Sequence, residues 1–139
     1  MKQFKSPILW LIIAITAVAI YALKPKPNTA GAGTPIVSVT VPTTLGANAK
    51  MGQGAFETHC AACHGVNAVG QVGIAPPLIH KIYEPSHHGD LSFARAAKFG
   101  VQAHHWPFGN MAPVDGITDN EIISIITYIR ELQRANGIG

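Results

Sequence analysis

A chain of 139 residues with a formal net charge of +3 has room for one modest domain. Four lysines flank an apolar stretch near the start, whereas from Leu45 onward six Lys or Arg residues stand against seven Asp or Glu, a net charge of −1. This balance excludes a basic nucleic-acid-binding domain. The two cysteines, Cys60 and Cys63, are too close together to form the disulfide framework of a small secreted protein.

The first segment, residues 1–24, predicts a membrane anchor. Residues 7–23 form an uncharged apolar run, near the lower limit of about 17 residues that cross a bilayer as a helix. The alternative is a cleaved signal peptide, which usually has a shorter apolar core and a small-residue cleavage site, and no clear A-x-A pattern follows Leu23. We therefore expect an uncleaved, single-pass transmembrane helix, whose flanking lysines leave its orientation open.

The second segment, residues 25–46, is rich in Pro, Gly and Thr. Such a composition predicts an extended, semi-stiff tether between the anchor and the domain. The β-branched residues at 36–41 leave a short strand as the alternative.

The remaining segment, residues 47–139, predicts an all-helical domain. A first helix is expected over about residues 48–60, with Met51 packed in it, and a middle helix over 90–99, with Gly100 as its stop. The last helix begins with a capping box at residues 118–121. It carries one broad apolar face made of Ile122, Ile123, Ile125, Ile126 and Ile129.

The run Cys60-Ala61-Ala62-Cys63-His64 has the spacing of a haem c attachment site. In such a site two thiols add to the haem vinyl groups and the histidine binds iron. A thioredoxin-like pair would follow a strand, whereas a helix is predicted here, and a zinc site would need two further ligands, such as His59 and another histidine. The spacing therefore favours one haem, covalently bound through both cysteines.

The residues around this motif resemble the class I cytochrome c family, in its monohaem, membrane-anchored bacterial form, over about residues 50–134. Gly52 and Phe56 stand where that family has the glycine and the aromatic residue of its first helix, and Tyr128 matches the aromatic residue of its last helix. The resemblance implies an all-α fold of three to five helices around one haem. It also implies that Gly52 allows the first and last helices to cross closely.

Residues 75–78 resemble the family's proline segment. The resemblance implies that the carbonyl group of Pro76 accepts a hydrogen bond from His64, and that Leu78 contacts the haem. Such a bond fixes the orientation of an imidazole and raises the basicity of the nitrogen that binds iron.

The resemblance places the second axial ligand at Met111, and a thioether ligand raises the reduction potential. The family commonly has proline directly after this methionine, but here Ala112 intervenes, which puts the loop shape in question. Histidines are the competing ligands, and one of them in place of Met111 would lower the potential. They are His80, His87, His88, His104 and His105.

The loop before Met111 contains His104, His105 and Trp106. We expect Trp106 to donate a hydrogen bond to a haem propionate. The two histidines could do the same or line the exposed haem edge, and a solvated loop is the other possibility. The pair at residues 87 and 88 is expected at the surface rather than in a metal site.

A haem iron that also has two protein ligands has no open coordination position. The resemblance therefore implies an electron-transfer protein rather than an enzyme. We expect a one-electron carrier of a respiratory or photosynthetic chain, on the periplasmic side of a bacterial inner membrane. Its expected partners are a quinol-oxidising complex, a terminal oxidase or a reaction centre. The alternatives are a fixed cytochrome c subunit of a multi-subunit membrane oxidoreductase and a haem sensor or peroxidase.

Overall fold

The computed structural model describes residues 10, 13–16 and 33–139. Most of the predicted anchor, residues 1–24, therefore lies outside the described residues, and the transmembrane helix stays a prediction. Within the described ranges, no helix is both long enough and apolar enough to cross a bilayer.

Residues 33–139 form a helical domain. Its α helices are α1 (Ala47–His59), α2 (Ala61–His64), α3 (Asp90–Phe99) and α4 (Asp119–Ala135), with 3₁₀ helices at Val66–Ala68 and Lys81–Tyr83. The described part of the chain contains two isolated β-bridges and no strand, so the alternative strand at 36–41 is absent. The prediction of an all-helical domain is confirmed, and α3 has the predicted bounds.

Helices α1 and α4 cross at Gly52. A Cβ atom on Gly52 would lie 1.9 Å from the carbonyl oxygen of Ser124, so only glycine lets the two backbones approach this closely. One turn further along, the rings of Phe56 and Tyr128 pack with their centroids 5.8 Å apart. Met51 is 63% exposed, so the expectation that its side chain packs was wrong.

Helix α4 begins with the predicted capping box, in which Thr118 and Glu121 each accept a hydrogen bond from the other's backbone amide. This arrangement satisfies amides that the first turn of a helix leaves unpaired. The isoleucines of α4 are buried except Ile123, which is 58% exposed and does not belong to the buried face.

The described part of the predicted tether, residues 33–46, lies against the domain. The amide of Ile36 donates to the carbonyl oxygen of Val69 at 3.2 Å. Thr40 and Asn136 exchange two hydrogen bonds, of 2.8 and 2.9 Å. These hydrogen bonds hold residues 33–46 on the domain.

Candidate functional site

The two cysteines and His64 lie within a single short turn of the chain. Helix α1 ends at His59, Cys60 follows at the junction, and Cys63 and His64 belong to α2. The amide of His64 donates to the carbonyl oxygen of Cys60 at 2.9 Å, which closes the turn. Cys60 is half-buried and Cys63 is exposed, and no disulfide joins them.

The environment of Cys60 does not favour a reactive thiolate. Burial, followed by the neighbouring negative charge of a Cys63 thiolate, raises the pKa of Cys60 to about 11. Redox-active and metal-binding cysteines need the opposite shift. In the described residues, the one cluster of three or more metal-ligating side chains lies elsewhere in the domain, so no further ligands join these thiols to form a zinc site.

His64 is buried, with 8% of its surface exposed, and its orientation is fixed. Its Nδ1 lies 2.9 Å from the carbonyl oxygen of Pro76, so the protonated Nδ1 donates to that carbonyl. Burial lowers the pKa of His64, and the bond to Pro76 opposes this shift. The hydrogen bond holds the proton on Nδ1, so the lone pair of Nε2 is available to a metal ion.

Close packing in the following loop holds Pro76 in place. Gly70 has a φ of +71°, and a Cβ atom there would lie 2.5 Å from the backbone nitrogen of Pro77. The amide of Gly70 donates to the carbonyl oxygen of His64 at 2.7 Å. The loop therefore folds back onto the Cys60–His64 turn, because glycine is the residue that adopts this conformation without strain.

Gln71 supports the same turn, and the sequence analysis missed it. Its side chain, 2% exposed, donates from Nε2 to the carbonyl oxygens of Ala62 and Cys63 at 2.7 and 2.9 Å. Its Oε1 accepts a hydrogen bond from the amide of Gly33 at 2.8 Å. A single glutamine in a glycine-rich loop belongs to no sequence pattern, so no signal pointed to it.

Met111 is half-buried and is held through its backbone. Helix α3 stops at Gly100, which has a φ of +73°, and the next residue, Val101, exchanges two hydrogen bonds of 2.9 Å with Met111. A Cβ atom on Gly100 would lie 2.4 Å from the carbonyl oxygen of Met111. This pairing fixes the backbone of Met111 even though Ala112, and not proline, follows it.

A cavity of about 910 Å³ separates two parts of the domain. We call them the motif wall, residues 59–78, and the loop wall, residues 100–114. Isoleucines of α4 form an apolar side between them. The structure brings all seven predicted site residues to this cavity: Cys60, Cys63, His64, Pro76, Leu78, Trp106 and Met111. Its size and lining fit one large, mostly apolar cofactor.

Trp106 supplies a further test of that fit. Its Nε1 atom is buried and has no hydrogen-bond partner, while its ring stacks on Phe108 with centroids 5.9 Å apart. Burial raises the pKa of Tyr83, and the nearby N–H of Trp106 opposes this shift. The Trp106 N–H and the Tyr83 hydroxyl group nevertheless lack the geometry of a hydrogen bond, so Nε1 of Trp106 stays without a partner. An unpaired buried donor is costly. A carboxylate of a cofactor, such as a haem propionate, would satisfy it.

Tyr83 also lines the cavity and is a second site residue that the sequence analysis missed. It belongs to a short 3₁₀ helix that no sequence pattern marked. Its hydroxyl group is a further donor on the side of the cavity that carries Trp106.

Of the histidines considered as competing iron ligands, His88, His104 and His105 line the cavity, whereas His80 and His87 are not among its lining residues. His104 and His105 line it but are exposed, whereas Met111 is half-buried. His80 is half-buried, and its ring contacts the edge of Trp106. At residues 87 and 88, the first histidine is exposed and the second is half-buried.

A comparison with models of known protein families gives a match over most of the domain. The family model described as cytochrome c matches residues 49–133, more than half of the chain. In the comparison with curated proteins, none matches this chain. The matched region begins in α1, ends in α4, and contains all seven predicted site residues.

Proposed function

The chain belongs to the cytochrome c family, and we propose that it is a one-electron carrier that holds one haem c through Cys60 and Cys63, with His64 and Met111 as the axial ligands. The observation that carries this proposal is the 2.9 Å hydrogen bond between His64 and Pro76, at a cavity that Met111 also lines. The bond leaves Nε2 of His64 free to coordinate iron. The bound haem supplies the one-electron iron couple.

The residues of the chain would hold the cofactor and set its environment. The thiols of the motif wall attach it, and the isoleucines of α4 keep water from its apolar surface. A thioether and an imidazole ligand together leave no open coordination position, so reactions of a substrate at the iron are disfavoured. The N–H of Trp106 would pair with a propionate.

We further propose that residues 1–24 anchor the domain to the periplasmic side of a bacterial inner membrane, in a respiratory or photosynthetic chain. The apolar run and its flanking lysines support the anchor. Residues 33–46 lie on the domain, so only residues 25–32 would link it to the anchor, a reach of about 28 Å when fully extended. This short reach favours a partner in the same membrane: a quinol-oxidising complex, a terminal oxidase or a reaction centre.

The same short linker gives some support to the alternative of a fixed subunit of a membrane oxidoreductase. Extraction of the full chain from its native membrane in mild detergent separates the two proposals. A carrier comes out alone, whereas a fixed subunit comes out with large partner subunits in constant ratio.

The experiment that tests the haem proposal is a visible absorption spectrum of the full chain, produced together with c-type haem maturation machinery. We expect a sharp α-band in the reduced protein and, in the oxidised protein, the weak far-red band of sulfur ligation. A low-spin spectrum without that band would show that Met111 is not the second iron ligand and would point to His104 or His105 instead. A high-spin spectrum, with rapid binding of carbon monoxide, would favour a sensor or a peroxidase.

A further inference from the structure

Histidines from two separate loops meet at the rim of the cavity. His87 and His88 follow the second 3₁₀ helix, and His105 belongs to the loop wall. The Nε2 atoms of His87 and His105 are 3.3 Å apart. One ring nitrogen from each of the three residues lies within 4.8 Å of the other two. The three rings therefore converge on one small volume.

The spacing of these nitrogen atoms fits a metal ion. In a tetrahedral site with metal–nitrogen distances of 2.0–2.1 Å, ligand nitrogens lie about 3.4 Å apart. The His87–His105 separation of 3.3 Å has this length already, and the third ring nitrogen lies within 4.8 Å of both. No carboxylate takes part in this cluster, so Ca²⁺ and Mg²⁺, which need oxygen ligands, are disfavoured.

His88 is oriented as a metal ligand would be. Its Nδ1–H donates to the carbonyl oxygen of Ile82 at 2.7 Å, so the lone pair of Nε2 is available. Imidazole ligands in metal sites usually make this hydrogen bond, which fixes both the tautomer and the ring orientation. The bond is independent of the contacts between the three histidine rings.

A buried arginine holds the backbone of this loop. Arg130 of α4, 7% exposed, donates to the carbonyl oxygens of Tyr83 and His88 at 2.7 and 2.6 Å. Its Nε also donates to Asp90 at 2.8 Å, at the start of α3. The position of His88 is therefore set before any ion binds, which lowers the entropic cost of forming the site.

We propose that His87, His88 and His105 bind one divalent transition-metal ion of the class that prefers imidazole, Zn²⁺ or Cu²⁺, at the rim of the haem cavity. Three imidazole ligands leave a fourth position open to water or to a side chain of a partner. His88 and His105 also line the cavity, so the ion would add positive charge beside the haem.

Calorimetric titration with Zn²⁺ tests the site, using the detergent-solubilised, haem-loaded full chain, stripped of metal with a chelator and carrying no histidine tag. We expect one Zn²⁺ per chain, confirmed by equilibrium dialysis and metal analysis. His87→Gln and His105→Gln should each weaken Zn²⁺ binding at least about 100-fold. Loss of a group that only supports a metal ligand costs up to about 100-fold, and these variants remove a ligand itself.

His104→Gln is the matched control. Its ring lies beside that of His105, with centroids 4.2 Å apart, but it is not one of the three converging ligands. The Zn²⁺ affinity of this variant should stay within about twofold of wild type, well under a tenfold change. Equal weakening in all three variants, or no saturable binding, would overturn the proposal. The haem spectrum of the same samples distinguishes failure of this site from failure of the haem site.

Discussion

The motif wall and the loop wall face the same cavity but are held in different ways. In the motif wall, the imidazole of His64 is fixed by Pro76, and Gln71 holds two carbonyl groups of the Cys60–His64 turn. In the loop wall, one pair of backbone hydrogen bonds fixes Met111, and the side chain of Asn110, which is exposed, accepts one more from the amide of Ala103 at 2.9 Å.

This difference matches the chemistry proposed for each wall. Covalent attachment needs two thiols and one imidazole at fixed positions, so the backbone around them is tied down by buried groups. The loop wall supplies one thioether and can tolerate adjustment. Segments with few buried contacts open at a lower free energy than the core. We therefore expect changes in the motif wall to affect assembly, and changes in the loop wall to affect the properties of the iron.

The largest effect is expected from the double variant Cys60→Ala/Cys63→Ala. Removing both thiols removes both covalent bonds, so covalently attached haem should be lost entirely. Intact-protein mass spectrometry after denaturation measures this directly. Haem that stays attached to the denatured double variant would contradict the central assignment.

Met111→Ala tests the loop wall. Haem should remain covalently attached, while the reduction potential falls and the reduced iron becomes able to bind carbon monoxide, because the thioether ligand that favours ferrous iron is gone. Potentiometric titration and the carbon monoxide difference spectrum are the measurements.

Met51→Ala is the matched control for this experiment. Its side chain lies on α1, is 63% exposed, and is not among the residues that line the cavity. The spectrum and the potential should therefore equal those of wild type. An unchanged spectrum and potential in Met111→Ala would instead remove Met111 from the ligand set.

Two substitutions of polar residues, one in each wall, compare how much each wall contributes to the free energy of unfolding. Gln71→Ala leaves the carbonyl groups of Ala62 and Cys63 without their partner, and should lower the free energy of unfolding by about 1–3 kcal/mol. Asn110→Ala removes one exposed hydrogen bond and should cost at most about 0.5 kcal/mol. Denaturant unfolding of the haem-loaded variants gives both values. Equal costs would remove the distinction between the walls.

Local patterns made most of the fold readable from the sequence. The attachment motif occupies five consecutive residues, the capping box four, and the stop of α3 is a single glycine with a φ of +73°. The roles of Gly52 and Phe56 were implied by the resemblance to the family. In the attachment motif, the capping box and the helix stop, the residues that interact are neighbours along the chain, so spacing carries the information.

Contacts between distant segments were not readable. Gln71 joins the motif to residue 33, and the histidine cluster joins two loops eighteen residues apart. Neither pairing follows a repeat. The exposure of Met51 also depends on which face of α1 meets α4, and an apolar residue at helical spacing does not decide this.

A pH-dependent effect is expected where the end of α1 meets the start of α4, at the contact between His59 and Glu121. The backbone amide and then the hydroxyl group of Thr118, with a smaller contribution from His59, lower the pKa of Glu121 below its ordinary value of 4.5. A carboxyl group with a lowered pKa in the folded state stabilises the fold above its unfolded pKa, and this stabilisation is lost as the pH falls through the folded pKa. The capping box should therefore weaken below about pH 4.5.

Glu121→Gln tests this by melting temperature. The variant should melt below wild type at pH 6, and the difference should shrink as the pH falls below 4.5, because wild type then loses the same charge. Thr118→Ala removes the hydroxyl partner of Glu121 and keeps both the backbone amide of residue 118 and the carboxyl group. It should cost about 1 kcal/mol at pH 6, as the loss of a helix cap does, and its deficit should also shrink in acid. A deficit that stays constant with pH in both variants would mean that the cap acts through its shape, and that the charge of Glu121 adds nothing to the junction of α1 and α4.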